Sequence, residues 1–188
     1  MCRHHRLDPH IQSSNLSLRE PDLSNLELES VKRVRKALAG ADRPNGVREL
    51  TDRVRNTAEM AQALGVELGA VVKTQVFTIG NRYVFVLVAG DHHCSEEQLP
   101  KIFQLQGDVV RPSADLVRAV TGFSNGGLTP VGSVSKLPTA IDASLKRFET
   151  IYAAAGHSQC IFETSVDELK SLTSGLVSYA VAGPAKPS

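Results

Sequence analysis

The sequence predicts an α+β protein with a mixed central β-sheet, and three observations lead to this prediction. Two strongly β-prone segments, 71–79 and 83–89, flank a Gly80-Asn81-Arg82 turn, which is the pattern of a β-hairpin. Helical patterns are scattered among short strand patterns, which favours a mixed sheet over a doubly wound fold. A length of 188 residues with 41% hydrophobic residues is sufficient for the core of one domain.

The first part of the chain is predicted to contain an extension, a helix, a strand and a second helix. Residues 1–22 are polar and without periodicity, so we expect a flexible N-terminal extension. Apolar residues recur at helical spacing over 26–38, and a short strand is predicted at 46–51. Thr57 is the expected N-cap of a helix that stops at Gly65, ahead of the hairpin.

The rest of the chain is predicted to contain short helices and strands around one glycine-rich loop. Helices are predicted where N-cap residues precede apolar periodicity, at 95–105, 113–120, 142–148 and 165–172, with Asp142 as one cap and capping boxes at Ser95 and Ser165. Strands are predicted at short β-prone segments, at 108–111, 150–154, 160–162 and 176–181. Residues 23–182 therefore form a single predicted domain, followed by a loose tail at 183–188.

Charge and composition narrow the classes of function. The formal net charge is +1, so a contact with nucleic acid would have to use a local basic patch. The basic face Lys32 to Lys36 of the first predicted helix is typical of a solvated surface and also of a phosphate-contacting patch. No apolar segment approaches the ~20 residues of a membrane span, and the three separated cysteines indicate no disulfide framework. Without a recognisable signal peptide, we expect a cytoplasmic protein.

Lys73 is the most informative single residue. It is the only charged side chain between Glu67 and Arg82, and it lies inside the apolar strand predicted at 71–79. A charge in such a place is costly unless it meets an anion or polar partners. Three interpretations stay open: the ammonium reaches past a sheet edge to water, pairs with a structural carboxylate, or faces a ligand pocket. In the last case it suits the phosphate or ribose end of a nucleotide.

The glycine-rich loop at 121–132 is the second candidate for a functional element. Four glycines and one proline fall in these twelve residues without any charged side chain, so backbone groups there can approach a ligand closely. The glycine spacing is neither that of a Walker loop nor that of a dinucleotide-binding loop, and a plain connection is an equal alternative. Because no catalytic triad and no zinc-ligand spacing is recognisable, we predict neither a metal nor a cofactor.

Three motifs, taken in order, resemble one known family. They are Val72-Lys73-Thr74 on an early strand, Gly90-Asp91 after the next strand, and Thr121-Gly122-x-x-x-Gly126-Gly127-x-x-Pro130-x-Gly132. The similarity continues through 137–142 and 148–152 and covers residues 45–181. Together the motifs make the chain similar to the YbaK/EbsC-type aminoacyl-tRNA editing family. That family includes free-standing trans-editing proteins and the editing domain inserted in bacterial prolyl-tRNA synthetases.

The resemblance implies a barrel-like sheet with flanking helices, and metal-independent hydrolysis of the ester that joins an amino acid to the 3′-terminal adenosine of a tRNA. It implies two catalytic positions: Lys73, which holds the terminal nucleotide, and Gly126, whose backbone positions the attacking water or the substrate. The substrate-binding positions that it implies are Thr74, Gly127, Thr129, Pro130, Gly132, Ser133, Asp142 and Ala154. The implied partners are the acceptor end of an aminoacyl-tRNA and a synthetase such as prolyl-tRNA synthetase, with no membrane.

Positions at which branches of the family differ bear on the amino acid removed. Ala154 and Ile161 stand where the cysteinyl-prolyl branch has a serine and an acidic residue, so we do not carry its cysteine specificity to this chain. Ser133 stands where some free-standing members have histidine. Segment 53–59 resembles the group that favours alanine or 2-aminobutyrate, which predicts a small amino acid in the prolyl-tRNA system. Two alternatives stay open: a non-catalytic tRNA- or synthetase-binding module of the same fold, and a hydrolase of another small ester.

Overall fold

The computed structural model describes residues 24–43 and 46–184. Its α-helices are α1 (Glu29–Ala39), α2 (Thr57–Leu64), α3 (Leu99–Phe103), α4 (Ala114–Thr121) and α5 (Val166–Thr173). Its strands are β1 (Val47–Glu49), β2 (Val72–Ile79), β3 (Arg82–Ala89), β4 (His92–Cys94), β5 (Val109–Val110), β6 (Thr139–Asp142), β7 (Ile151–Ala154), β8 (Cys160–Thr164), β9 (Leu176–Ser178) and β10 (Ala182–Pro184). Short 3₁₀ turns lie at Asn25–Glu27, Leu68–Ala70, Glu96–Gln98, Ala143–Arg147 and Tyr179–Val181.

The strands form three sheets, of which the largest is mixed. Its order is β5-β2-β3-β6-β9, with antiparallel pairs on the β2 side and parallel pairs from β3 to β9. A second, antiparallel sheet has the order β1-β8-β7. A parallel bridge between Val71 and Tyr152 joins these two sheets at the start of β2. The third sheet pairs β4 with β10, so that the end of the described chain returns to the segment that follows the hairpin.

Both larger sheets contribute to one main core. Val72 and Leu87 from the mixed sheet, and Ile151 and Phe162 from the second sheet, are buried in the same cluster. Helices α1 and α5 cover this cluster with the side chains Val31, Val34, Leu38, Val166 and Leu169. The two sheets thus curve around a shared interior, as a barrel-like arrangement requires.

Local sequence signals explain most of these elements. The β2–β3 hairpin turns at Gly80 and Asn81, where Gly80 has a φ of +58° that suits glycine. Helix α5 begins with a complete capping box between Ser165 and Glu168, as predicted. Ser113 caps α4 through the amide of Leu116, also as predicted. These agreements confirm the predicted α+β class and its mixed sheet.

The structure corrects several of the predicted elements. The predicted capping box at Ser95 is wrong, because its side chain makes no cap hydrogen bond. Pro100 has no amide hydrogen and cannot donate the hydrogen bond that an α-helix starting at Ser95 would need there. A 3₁₀ turn therefore precedes α3, and Pro100 takes the second position of that helix, where proline is tolerated. The N-cap of α2 is Asn56, which accepts a hydrogen bond from the amide of Glu59 at 2.9 Å, and Thr57 is the first helical residue.

Three strands were not predicted. Asp142, expected as a helix cap and as a substrate-binding residue, also ends β6, and the predicted helix after it is a 3₁₀ turn. Strands β4 and β10 have three residues each, too few for a periodic pattern, and they form by pairing with each other. The predicted extension 1–22 and residues 185–188 lie outside the described residues, whereas Gly183 and Pro184 of the predicted tail belong to β10. No helix of the described residues is long and apolar enough to cross a membrane.

Candidate functional site

The candidate site is a cavity of about 280 Å³ at the junction of the two larger sheets. Residues from four separate segments line it. They are Val54, Arg55, Asn56, Thr57 and Met60 around the start of α2, Val71 to Gln75 at the start of β2, Gly126 and Leu128 in the glycine-rich loop, and Ala154 and Ser158 at and after the end of β7. Four of the residues predicted for the site therefore share this cavity: Lys73, Thr74, Gly126 and Ala154.

Lys73 is half-buried at this cavity and is held by a backbone carbonyl. Its Nζ donates a hydrogen bond to the carbonyl oxygen of His92. Among the described residues its ammonium makes no ion pair, so its charge is not neutralised by direct contact with a carboxylate. An ammonium has three hydrogens to donate, and His92 takes one of them. The remaining hydrogens are available to an anionic ligand.

The pKa of Lys73 reflects a balance of burial and nearby charge. Burial lowers the pKa of its ammonium, and the negative charges of Asp91 and Asp142 partly oppose this effect. Both carboxylates have other partners. Asp91 forms an ion pair with Arg147, and Asp142 lies 3.1 Å from Nδ1 of His92. Lys73 thus lies near two carboxylates that have other partners, and its own hydrogen bond is to a neutral carbonyl oxygen.

The glycine-rich loop forms the opposite wall of the cavity. Gly126 has a φ of +88°, and a Cβ there would lie 3.1 Å from Cβ of Ser158, so glycine suits both the conformation and the space. At Gly127 an added Cβ would lie only 2.4 Å from the carbonyl carbon of Gly156. Gly127 also accepts a hydrogen bond from the amide of Gly156 at 3.0 Å. This close backbone contact holds Gly126 against the turn between β7 and β8.

One end of the cavity is apolar. Val54, Met60 and Val71 form a buried cluster there together with Ile161, which is fully buried. Ala154 presents its methyl group to the same cavity. Ala154 and Ile161 are the positions at which the resemblance set this chain apart from the cysteinyl-prolyl branch, and both are apolar here. This end of the cavity is therefore lined by apolar side chains.

Two buried oxygen atoms beside Lys73 have no hydrogen-bond partner within the described structure. They are Oγ1 of Thr74 and Oε1 of Gln75, and both residues line the cavity. Buried polar atoms are normally paired, and each unpaired one is costly. A ligand with hydroxyl or amino groups would supply the missing donors. Thr74 was predicted for the site, whereas Gln75 was not.

The other predicted site residues lie away from this cavity. Pro130, Gly132 and Ser133 line a different cavity of about 350 Å³, beside Ala37 and Leu172. Gly127 lies in a groove next to Gly156 and His157, and Thr129 is fully buried, where its hydroxyl accepts a hydrogen bond from the amide of Val131 at 3.3 Å. Asp142 is also fully buried and accepts hydrogen bonds from the amides of Ala89 and Ser144. None of these residues lines the cavity that contains Lys73.

The structure adds residues that sequence reasoning did not select. Val54, Arg55, Asn56 and Met60 line the cavity. The likeness of segment 53–59 to one family group pointed to the first three, and nothing in the sequence pointed to Met60. Their contribution depends on how α2 packs against β2, which no local pattern reveals. Among residues 24–43 and 46–184, no three His, Cys, Asp or Glu side chains gather in the way that a metal site requires. The chemistry that these residues allow is electrostatic binding and positioning of a substrate.

The sequence of this chain is similar to those of several known proteins. A family model described as an aminoacyl-tRNA editing domain matches residues 51–172. The uncharacterised protein YwhH of Bacillus subtilis is 27% identical over 145 residues, which cover 77% of this chain and 91% of YwhH. EbsC of Enterococcus faecalis, a candidate Cys-tRNA(Pro)/Cys-tRNA(Cys) deacylase, is 29% identical over 118 residues, which cover 62% of this chain and 71% of EbsC.

A solved structure shows the same architecture. The crystal structure of a candidate trans-editing enzyme for prolyl-tRNA synthetase superposes with a TM-score of 0.76 at 30% sequence identity. The superposition covers 83% of this chain and 99% of that one. This likeness confirms the predicted barrel-like α+β fold.

Proposed function

This chain belongs to the aminoacyl-tRNA editing domain family, and we propose that it hydrolyses the ester of a tRNA charged with a wrong, small amino acid. Its motifs predicted this family from the sequence. The observation that carries the proposal is the shared cavity of Lys73 and Gly126, with a cationic group on one wall and exposed backbone on the other. An enzyme that acts in trans is the form we propose, in line with the related candidate trans-editing enzyme.

In the proposed reaction, Lys73 binds a phosphate of the terminal nucleotide through the hydrogens that His92 does not take. The backbone at Gly126 positions a water molecule against the ester carbonyl carbon. The water oxygen forms the new bond to that carbon, and the bond from carbon to ribose oxygen breaks. The ribose oxygen takes up a proton and the free amino acid leaves. Positioning and electrostatic stabilisation supply the rate enhancement, without a protein nucleophile.

The apolar end of the cavity supports alanine or 2-aminobutyrate as the amino acid removed. Met60, Val54 and Ala154 leave room for a short side chain and present no polar group to a thiol or hydroxyl. At about 280 Å³ the cavity lies near the lower limit of ligand sites, which are commonly about 300–1,000 Å³. A synthetase distinguishes one methylene by only about 1–3 kcal/mol, so a second, size-selective site is useful for amino acids smaller than proline.

The proposal is tested by deacylation of tRNA(Pro) charged with alanine, 2-aminobutyrate, cysteine, serine or proline. We expect rapid release of alanine or 2-aminobutyrate and retention of proline. Lys73→Ala should lower kcat/KM by about a hundredfold, the scale of losing one preorganised charge-stabilising donor. Lys101→Ala is the matched control, since Lys101 is exposed on α3 and lies outside the cavity. Its activity should equal that of the wild type.

Three results would contradict this proposal. Binding of tRNA without release of any of the five amino acids would favour the non-catalytic module of the same fold. Loss of folding in Lys73→Ala, seen by circular dichroism, would indicate a structural lysine instead. Release of amino acid from a simple ester that carries no tRNA, at an equal rate, would favour the hydrolase of another small ester.

A further inference from the structure

The ion pair between Asp91 and Arg147 lies close to Lys73 without including it. Nη2 of Arg147 donates to both carboxylate oxygens of Asp91, at 2.7 Å from Oδ2. The guanidinium also stacks on Phe148, with Cζ 4.9 Å from the ring centroid. These contacts with Asp91 and Phe148 fix the orientation of the Arg147 guanidinium, and with it the position of the Asp91 carboxylate.

The backbone leaves a space for this ion pair. A Cβ on Gly69 would lie 2.4 Å from Nη2 of Arg147 and 2.9 Å from each carboxylate oxygen of Asp91. Gly69 is buried in the 3₁₀ turn Leu68–Ala70, which leads directly into β2 and Lys73. A side chain at this position would force the ends of Arg147 and Asp91 to shift. An exposed ion pair contributes little to stability, so the close fit at Gly69 points to a role other than stability.

Asp91 directly precedes His92, whose carbonyl accepts the hydrogen bond from Lys73, so the backbone places the two residues close together. Asp91 is the larger of the two carboxylate influences that raise the pKa of Lys73 against the effect of burial. The Lys73 ammonium nevertheless bonds to the carbonyl of His92 and not to this carboxylate. A carboxylate without its own partner would compete directly with an RNA phosphate for the ammonium. The second nearby carboxylate, Asp142, is likewise occupied by His92 and by backbone amides.

We propose that Arg147 is a positioning residue that draws the Asp91 carboxylate away from Lys73 and so keeps the ammonium free for a phosphate of the RNA. The inference rests on the proposed function, because it assumes that Lys73 binds the substrate. Arg147 acts through Asp91 and is not among the residues that line the cavity. Its contribution should therefore depend entirely on the charge of Asp91.

Activity of three variants tests this dependence. Arg147→Gln should lower kcat/KM for the preferred aminoacyl-tRNA by about tenfold, equivalent to about 1.4 kcal/mol, mostly through a higher KM. Asp91→Asn in the same chain should restore kcat/KM to within about twofold of wild type, because no free carboxylate remains. Arg111→Gln is the matched control: Arg111 also pairs with a glutamate and stacks on a phenylalanine, but away from the cavity. Failure of Asp91→Asn to restore activity would overturn the inference and indicate a structural role.

A second measurement does not depend on catalysis. Reductive ¹³C-methylation makes the pKa of each lysine observable by NMR, and the Lys73→Arg variant identifies the signal of Lys73. Arg147→Gln should raise the pKa of Lys73, and adding Asp91→Asn should lower it again. An unchanged pKa together with unchanged activity would overturn the inference while the proposed function stood. If Arg147→Gln shifts the pKa of Lys73 but the wild-type protein releases no amino acid from any tRNA, the proposed function is refuted. The influence of Arg147 on Asp91 would then still stand.

Discussion

Replacing Asp142 by alanine should destabilise the fold more than any other change of a single carboxylate near the site. The Asp142 side chain is fully buried. Oδ2 accepts a hydrogen bond from the amide of Ala89 at 3.2 Å and lies 3.1 Å from Nδ1 of His92. Oδ1 accepts a hydrogen bond from the amide of Ser144 at 2.9 Å. The carboxylate thus connects the ends of β3 and β6 with the start of β4.

The expected loss of stability follows from the hydrogen-bond donors that Asp142→Ala leaves without an acceptor. A buried donor without a partner costs about 1–3 kcal/mol. Ala89 and His92 are buried, so the donors that they lose bear most of this cost, whereas Ser144 is half-buried and can be reached by water. Removing a buried carboxylate returns part of its desolvation cost. We therefore expect Asp142→Ala to lower the free energy of unfolding by about 3 kcal/mol, or Tm by about 6–12 °C in a domain of this size.

Urea denaturation followed by circular dichroism measures this loss, with thermal unfolding as a second assay. Asp142→Asn should cost less, about 1–2 kcal/mol, because one amide oxygen still accepts a hydrogen bond. Asp108→Ala is the control, since Asp108 is exposed and its side chain makes no hydrogen bond within the described structure; it should stay within about 0.5 kcal/mol of wild type. A change of less than about 0.5 kcal/mol for Asp142→Ala would refute the argument, because unpaired buried donors would then cost nothing here.

Two further predictions concern the cavity and the half-buried thiol of Cys94. Ala154→Val narrows the apolar end, so kcat/KM for 2-aminobutyryl-tRNA should fall about tenfold more than for alanyl-tRNA, and equal losses would argue against a size limit at Ala154. Burial, with smaller effects of Glu96 and other charges, raises the pKa of the Cys94 thiol to about 12. Iodoacetamide at pH 8, followed by mass spectrometry, should therefore modify Cys94 about a thousandfold more slowly in native than in urea-unfolded protein, and similar rates would contradict this prediction.

The sequence by itself determined the elements whose causes are local. The hairpin of β2 and β3 follows from two β-prone segments around Gly80, and α5 follows from the capping box at Ser165. Lys73 could be selected because a single charge in an apolar strand needs a partner. Gly126 and Gly127 could be selected because a dense glycine cluster allows close backbone approach. Each of these signals lies within a few residues of its consequence.

Only the tertiary structure determined which residues face each other across the cavity. The partner of Lys73 is a carbonyl at His92, and β4, which presents it, exists only because β10 returns to pair with it some 90 residues later. The same packing brings α2 against β2, adding Met60 to the cavity, and directs Ser133 into a different cavity from Gly126. Such contacts depend on how sheets and helices pack over long separations along the chain. Local propensity carries no information about that packing, because the energy that selects it comes from burial of surfaces that only the folded chain brings together.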